Sequence, residues 1–287
     1  MSTSANSPLE LWQPAALEHV REVLLAEPAV LGLVLLGSYT GLYAVPDYWS
    51  DLDLVVVVRD EDYPRFFPGT DWLKPLGVLY TTETTDFGDF GVRRCQFTNF
   101  WRLDMDVVGE GSLRRMAEWS EALLTSDRRV VFCRSEVLAE ALTREVPQTP
   151  PAEVTAAEFD RLATEFWFKG MLAVTKLARE EMLVGLHLAL DMVRDCSVLA
   201  MMLRDRDTGS NHHRDGRDGN QYIPLLAQCH QSYTVEGLLD TMVAAATVFD
   251  GLAARMDAQY VARRETLLEY TNVVRRSRHG SAGRETT

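Results

Sequence analysis

The chain has 287 residues, of which 46% are hydrophobic, and its 29 Lys and Arg against 42 Asp and Glu give a formal net charge of −13. The length allows one large or two ordinary domains, and the hydrophobic share argues against a wholly disordered chain. The acidic balance argues against a nucleic-acid binder, which needs a basic surface, and suits a cationic partner, a metal ion or simple solubility.

The first half of the chain is expected to alternate helices and strands. Apolar residues at helical spacing over residues 11–27 predict a helix that ends at Pro28. The apolar runs 29–36 and 51–59 predict buried strands, joined by a loop or short helix. Further elements are predicted as strands over residues 76–80, 93–97, 101–108 and 129–133, and as a helix over residues 112–124.

The second half is expected to be helical. Three prolines within residues 146–155 predict a domain boundary. Residues 155–202 are almost free of Pro and Gly and predict two long helices that break near residues 179–182. A polar loop over 204–220 is predicted to precede further helices over residues 224–229, 235–256 and 257–276.

These patterns together predict an α+β protein of two domains. A mixed β-sheet domain with helices is expected over residues 1–150, an α-helical bundle domain over 151–276 and a disordered tail over 277–287. Residues 1–150 hold 13 Lys and Arg against 23 Asp and Glu, so −10 of the net charge lies there. The sheet domain is therefore where clustered carboxylates are expected.

The compartment is expected to be the cytoplasm. The first residues lack the basic and apolar regions of a signal peptide, and no apolar run approaches the roughly 20 residues of a membrane helix. The cysteines are far apart and form neither a CxxC pair nor a disulfide framework; they are Cys95, Cys133, Cys196 and Cys229. We therefore expect a soluble protein with reduced thiols and no membrane partner.

Two carboxylates open the second predicted strand, and twelve residues stand between a Gly-Ser pair and the first of them. Residues i and i+2 of a strand point to one face, so Asp51 and Asp53 are expected to project side by side. Adjacent carboxylates repel each other and attract a cation, and carboxylates with substrate phosphates are how proteins usually hold Mg²⁺. Gly37 would let the backbone approach a phosphate, and the Ser38 hydroxyl would bind its oxygens.

A second pair of carboxylates stands on the strand predicted over residues 101–108. Asp104 and Asp106 share one face of it. If this strand lies beside the one that starts at Asp51, a third carboxylate completes a metal site. The other carboxylate of the pair either joins the site or is merely solvated. Two metal ions at such a site could clamp the attacking and leaving oxygens of an in-line displacement.

Weaker features surround these motifs. The aromatic side chains between the later strands either stack a base, line an acceptor site or belong to the core; they are Phe87, Phe90, Phe97, Phe100 and Trp101. Asp86 and Asp89 lie on a Gly-containing loop, where they either meet the amino groups of a cationic acceptor or are plain surface.

The motifs resemble those of a known superfamily. Gly37-Ser38, a short gap and Asp51-Leu52-Asp53 followed by aliphatic residues are similar to the signature of the polymerase β-like nucleotidyltransferases. The resemblance extends to the antibiotic nucleotidyltransferases of the streptomycin (aminoglycoside) 6-adenylyltransferase type. Arg102-Leu103-Asp104 is similar to that family's Arg-Ile-Asp strand, and residues 157–167 and 189–191 are similar to segments of its helical domain.

The resemblance implies transfer of AMP from Mg²⁺-bound ATP to a hydroxyl of an aminoglycoside-like antibiotic, with release of pyrophosphate. It implies Mg²⁺ held by Asp51, Asp53 and Asp104, with ATP near Gly37 and Ser38. The partners would be a nucleoside triphosphate and a small cationic acceptor that binds the helical domain, without nucleic acid.

Two roles stay open between residues. Either Asp104 or Glu165 takes the proton of the attacking hydroxyl. Glu165 and Lys169 share a helix face, so they either act at the site or form an ordinary surface ion pair. Either Lys169 or Lys176 neutralises the triphosphate as a compact point charge.

Two other functions remain in view. The acceptor could be a lincosamide or another small metabolite, or the chain could be a non-catalytic nucleotide-binding protein. The sequence names neither the acceptor nor the nucleotide base nor the oligomeric state.

Overall fold

The computed structural model describes residues 10–40, 46–88, 90–115, 128–143, 154–208 and 217–282. The chain divides into two compact units, Met1–Thr149 and Pro150–Thr287.

Unit 1 is built on a mixed sheet of six described strands in the order β3-β4-β5-β2-β1-β6. β2 and β5 pair in parallel, whereas the other neighbouring strands pair antiparallel. The strands are Val30–Leu36 (β1), Leu52–Val58 (β2), Leu79–Asp86 (β3), Phe90–Phe97 (β4), Arg102–Gly109 (β5) and Arg129–Cys133 (β6). The helices are Gln13–Leu25 (α1), Tyr63–Phe66 (α2), Glu110–Arg115 (α3) and Glu136–Thr143 (α4).

The sheet is buried on both faces at its centre. On one face, side chains such as Leu33 and Leu54 join a core that includes Leu24 of α1. On the other face, Val55 and Leu138 belong to a smaller core. Because β1 and β2 are covered on both sides, they are nearly continuous aliphatic runs. Polar side chains on these strands are confined to their ends, and that is where the candidate site lies.

One strand lies elsewhere than the sequence predicts. Residues 76–80 were expected to form it, but β3 spans Leu79–Asp86 and a short 3₁₀ helix occupies Asp71–Leu76. β3 is an edge strand whose side chains are almost all exposed. It therefore lacks the alternating apolar pattern that marks a half-buried strand.

Unit 2 is helical. Its helices are Ala156–Ala178 (α5), Met182–Thr208 (α6), Ile223–Leu226 (α7), Val235–Met256 (α8) and Arg264–Ala282 (α9). Thr155 and Glu158 form a capping box that starts α5, and Glu180, with a φ of 58°, lies in the turn that separates α5 from α6. In the core, the rings of Phe166 and Phe249 stack at 3.8 Å between centroids. The sheet unit and this helical unit confirm the predicted α+β class.

Three boundaries in unit 2 correct the sequence predictions. α9 begins at Arg264, whereas the helix was predicted to begin at residue 257. α6 continues to Thr208, into the segment predicted as a polar loop. α9 continues through residues 277–282, where a disordered tail was predicted.

α8 is long and apolar enough to cross a membrane by length and composition alone, which the sequence analysis did not find. Most of it is buried inside the protein, as is typical of a core helix.

Candidate active site

Three carboxylates meet at one end of the sheet. β2 and β5 pair in register, with Asp53 opposite Asp104, and Asp51 immediately precedes β2. One carboxylate oxygen from each of the three residues lies within 4.8 Å of the others, and each residue is partly buried. The structure thus brings together the three residues that the sequence assigns to the metal.

Gly37 borders this cluster. It follows β1 with a φ of 70°, a left-handed conformation that favours glycine, and its carbonyl accepts hydrogen bonds from the backbone N–H (3.1 Å) and hydroxyl (2.8 Å) of Thr40. A Cβ atom at Gly37 would overlap the Asp53 carboxylate and lie 3.1 Å from its Cγ. The sequence predicts that Gly37 lets the backbone approach a phosphate. The structure adds a second reason for glycine, because any side chain here would displace the Asp53 carboxylate. Ser38 begins the helical turn Ser38–Thr40, next to this glycine.

Two arginines hold the carboxylates. Arg102 donates from Nη2 to Asp51 at 2.8 Å, and the Nε of Arg94 lies 3.4 Å from the Asp104 carboxylate. Sequence reasoning gave neither arginine a role. The strand register explains both contacts. Leu103 lies opposite Leu52, so Arg102 lies beside Asp51, and Arg94 of β4 lies opposite Asp104. Their charges offset part of the repulsion within the cluster.

Asp106 occupies a different place from Asp104. It lies two residues further along β5, opposite Val55, and is not one of the carboxylates that cluster within 4.8 Å in the described chain. Burial raises the pKa of Asp106 to about 7, and the neighbouring carboxylates of Asp53 and Asp104 add to that shift. Asp106 therefore binds a proton more readily than an ordinary carboxylate does, while Asp104 faces the candidate cation site.

The donor set suits a hard divalent cation. Mg²⁺ prefers carboxylate oxygens and usually combines one or two protein carboxylates with water and substrate phosphates. Asp51, Asp53 and Asp104 supply such oxygens. The residues present therefore fit the Mg²⁺ that the sequence predicts.

The candidate residues of unit 2 lie on α5. The Glu165 carboxylate lies 4.0 Å from the guanidinium of Arg161, which is one helical turn earlier in α5. A surface ion pair between Lys169 and Glu165 was one of the two alternatives predicted. The Lys169 ammonium instead donates to the buried Asp195 on α6 at 2.6 Å and lies 3.9 Å from Asp191.

Lys176 donates to Glu181 at 2.7 Å, near the end of the same helix. Both lysines thus have carboxylate partners within unit 2, and their roles toward a nucleotide stay predictions.

The predicted aromatic group separates into different surroundings. Phe97 belongs to the sheet core, Trp101 stacks on Trp12 at 6.4 Å, and Phe87 and Phe90 stack on each other at 4.8 Å. Phe100 is 78% exposed.

Asp86, predicted with Asp89 to lie on a loop, is the last residue of β3. It is exposed and accepts a hydrogen bond from the backbone of Gly88, whereas Asp89 lies outside the described residues.

Several solved structures are similar to this chain at low identity. An aminoglycoside 6-adenyltransferase from Bacillus subtilis is 16% identical, with 93% of this chain and 99% of that chain covered and a TM-score of 0.39. A spectinomycin adenyltransferase from Enterococcus faecialis, solved with ATP and spectinomycin, is 12% identical, with 86% and 99% covered and a TM-score of 0.34. A nucleotidyltransferase-like protein from Exiguobacterium sibiricum 255-15 is 12% identical, with 85% and 78% covered and a TM-score of 0.32.

No curated protein sequence matches the chain. The family model of streptomycin adenylyltransferase matches residues 14–211, which is most of the chain and includes all three clustered carboxylates. This match confirms the resemblance that the motifs indicate. The chain therefore belongs to the streptomycin adenylyltransferase family, and it is a nucleotidyltransferase.

Proposed function

We propose that this protein transfers AMP from Mg²⁺-bound ATP to a hydroxyl group of an aminoglycoside-like antibiotic and releases pyrophosphate. The observation that carries the proposal is the convergence of Asp51, Asp53 and Asp104 within 4.8 Å of one another, in a chain of this family. Gly37 keeps the space beside Asp53 open, and Ser38 supplies a hydroxyl at the same turn.

In the proposed reaction, the acceptor hydroxyl oxygen forms a bond to the α-phosphorus of ATP. The bond from that phosphorus to the oxygen bridging to the β-phosphate breaks, pyrophosphate leaves, and the hydroxyl proton passes to a base. Asp51, Asp53 and Asp104 would hold Mg²⁺, which when bound would neutralise charge that builds on the phosphate oxygens. Arg102 contacts the Asp51 carboxylate and Arg94 the Asp104 carboxylate, which limits the positions that these two side chains can take.

Two carboxylates remain candidates for the base. Asp104 belongs to the cluster itself, whereas Glu165 has a half-exposed side chain that lies 4.0 Å from Arg161. The variants Asp104→Asn and Glu165→Gln separate them. If Glu165 is the base, Glu165→Gln lowers kcat and removes the acidic limb of its pH profile while divalent-cation binding stays intact. If Asp104 is the base, Glu165→Gln leaves that profile unchanged.

For the phosphates we favour Lys176 over Lys169. Lys169 pairs with Asp195, whose side chain is only 4% exposed, so moving that ammonium would strand a buried charge. Lys176 pairs with Glu181, whose side chain is 38% exposed. Moving the Lys176 ammonium from Glu181 to a phosphate therefore costs less free energy than moving the Lys169 ammonium from Asp195. Lys176→Met is expected to raise the KM for ATP, and an unchanged KM would remove Lys176 from the site.

The test of the function is pyrophosphate release from ATP and Mg²⁺ with streptomycin, spectinomycin and a lincosamide offered separately. Asp51→Asn and Asp53→Asn should each lower kcat on the order of 1,000-fold, because each replaces a negatively charged carboxylate at the cation site with a neutral amide. Asp71→Asn is the matched control, since its carboxylate is 88% exposed and pairs only with the nearby Lys74 among the described ion pairs. Turnover retained in the double variant Asp51→Asn/Asp53→Asn would refute the site.

The same assay separates the alternatives. Release with the lincosamide alone would favour the lincosamide-type acceptor. Tight ATP binding without release for any acceptor would favour a non-catalytic nucleotide-binding protein. We propose a cytoplasmic location and a small cationic acceptor as partner, without nucleic acid or membrane.

A further inference from the structure

The segment that leads into Asp51 is held by a buried amide. Gln13, at the start of α1, is 0% exposed, and its Nε2 donates to the carbonyl oxygens of Asp47 (2.7 Å) and Ser50 (2.8 Å). Ser50 is the residue immediately before Asp51. One side chain from α1 therefore fixes both ends of the turn that delivers a candidate metal ligand.

Two more side chains bind the carbonyls between these ends. Trp12 donates from its indole N–H to the Tyr48 carbonyl at 2.9 Å, and Arg102 donates from Nη1 to the Trp49 carbonyl at 3.2 Å. Arg102 also donates to the Asp51 carboxylate at 2.8 Å. All four carbonyls of residues 47–50 thus accept from side chains that lie far away in sequence.

The turn is also closed internally. The Asp47 carboxylate accepts from the Trp49 backbone N–H at 2.9 Å and from the Ser50 hydroxyl at 3.1 Å. The backbone N–H of Ser50 donates to the Asp47 carbonyl at 3.1 Å. Hydrogen bonds within the segment therefore set its shape, and the donors from Trp12, Gln13 and Arg102 set its position.

Packing alone does not explain why a glutamine is buried at position 13. Its Oε1 is buried and has no hydrogen-bond partner in the described part of the chain. An unpartnered buried carbonyl is destabilising, and an apolar side chain of similar volume would avoid it. What the glutamine adds is the pair of donors to the turn.

We propose that Trp12 and Gln13 act as a positioning clamp, defined as these two side chains on the carbonyls of residues 47–50, which presets the Asp51 carboxylate for a divalent cation. The inference rests on the proposed role of Asp51 as a metal ligand. A ligand whose backbone is already ordered binds more tightly, because the ordering entropy is lost on folding and not on binding.

The test uses the full-length protein without nucleotide or acceptor. Gln13→Met keeps the side-chain volume but removes the donors, and Trp12→Phe removes the indole N–H but keeps a ring. Trp72→Phe is the matched control, because the Trp72 indole N–H also donates to backbone carbonyls, those of Phe66 (2.9 Å) and Gly69 (3.1 Å). Mn²⁺ binding is followed by electron paramagnetic resonance, and deuterium uptake is followed in a peptide spanning residues 46–53.

Gln13→Met and Trp12→Phe are expected to weaken Mn²⁺ binding about 10-fold, as loss of outer-shell partners does at metal sites, and to raise deuterium uptake of that peptide. Trp72→Phe should change neither. Faster uptake with unchanged Mn²⁺ affinity would overturn the clamp, and so would unchanged uptake or an equal effect in Trp72→Phe.

Failure of the proposed metal site looks different. In that case the wild type binds no Mn²⁺, or Asp53→Asn binds it as tightly as the wild type does, and the inference falls with the site. Wild-type binding that Asp53→Asn abolishes but Gln13→Met leaves unchanged overturns the clamp alone.

Discussion

Gly37→Ala can separate backbone strain from displacement of a metal ligand. Gly37 has a φ of 70°, and a Cβ there would overlap the Asp53 carboxylate. Gly88, in the β3–β4 turn, has a φ of 84°, and a Cβ there would have nothing within 4 Å. Gly88→Ala therefore carries the strain without the overlap.

The structure suggests the size of each effect. Alanine in a left-handed conformation costs about 1–2 kcal/mol, and the stiffer unfolded chain returns about 0.4–1 kcal/mol, so both variants should lose about 1 kcal/mol of unfolding free energy. In Gly37→Ala the Asp53 carboxylate must also withdraw by roughly 1 Å, and a misplacement of that size costs on the order of 100-fold in rate.

Two measurements decide the outcome: the free energy of unfolding in urea, and kcat/KM from pyrophosphate release. We expect similar stability in the two variants, with a large loss of activity only in Gly37→Ala. Wild-type activity in Gly37→Ala, or an equal loss in Gly88→Ala, would refute the reasoning that Gly37 makes room for Asp53.

Three other predictions concern charge. Burial raises the pKa of Asp106 to about 7, so the metal-free folded state loses stability as pH rises from the carboxyl's unfolded pKa toward 7. With a chelator present, the unfolding free energy of Asp106→Asn relative to that of the wild type should therefore rise by up to about 4 kcal/mol between pH 4 and 7.5. A difference between the two proteins that does not change with pH would contradict this. Lys169→Met leaves the buried Asp195 with Arg194 at 3.9 Å and should cost about 2–4 kcal/mol in urea unfolding; the double variant Lys169→Met/Asp195→Asn should recover part of the loss, and no recovery would argue against the pair. If the acidic surface attracts a cationic acceptor, the acceptor KM rises steeply with salt, whereas a KM independent of salt would assign the acidity to solubility.

Much of the architecture was predictable because it depends on local periodicity. β1, β2 and β5 lie where the apolar runs predict strands, and α5, α6 and α8 lie where helical spacing predicts helices. The adjacency of Asp51 and Asp53 is equally local, because alternation along one strand places them together.

Edge and end positions were harder to predict. β3 is exposed and polar, so its sequence carries no apolar pattern to locate it. α9 runs past Arg276 into a polar stretch, whose sequence carries no apolar periodicity from which a helix could be predicted.

By itself, then, the sequence determined the two-part α+β organisation and the pair Asp51 and Asp53. The resemblance assigned Asp104 to the metal, and the tertiary structure gives the reason why Asp104, and not Asp106, completes the cluster: the parallel register of β2 and β5 places Asp104 opposite Asp53. The tertiary structure also placed Gln13, which is 38 positions before Asp51, against the carbonyls of the turn that leads into Asp51. Periodicity records which face a residue takes, but which strands and loops become neighbours depends on long-range packing.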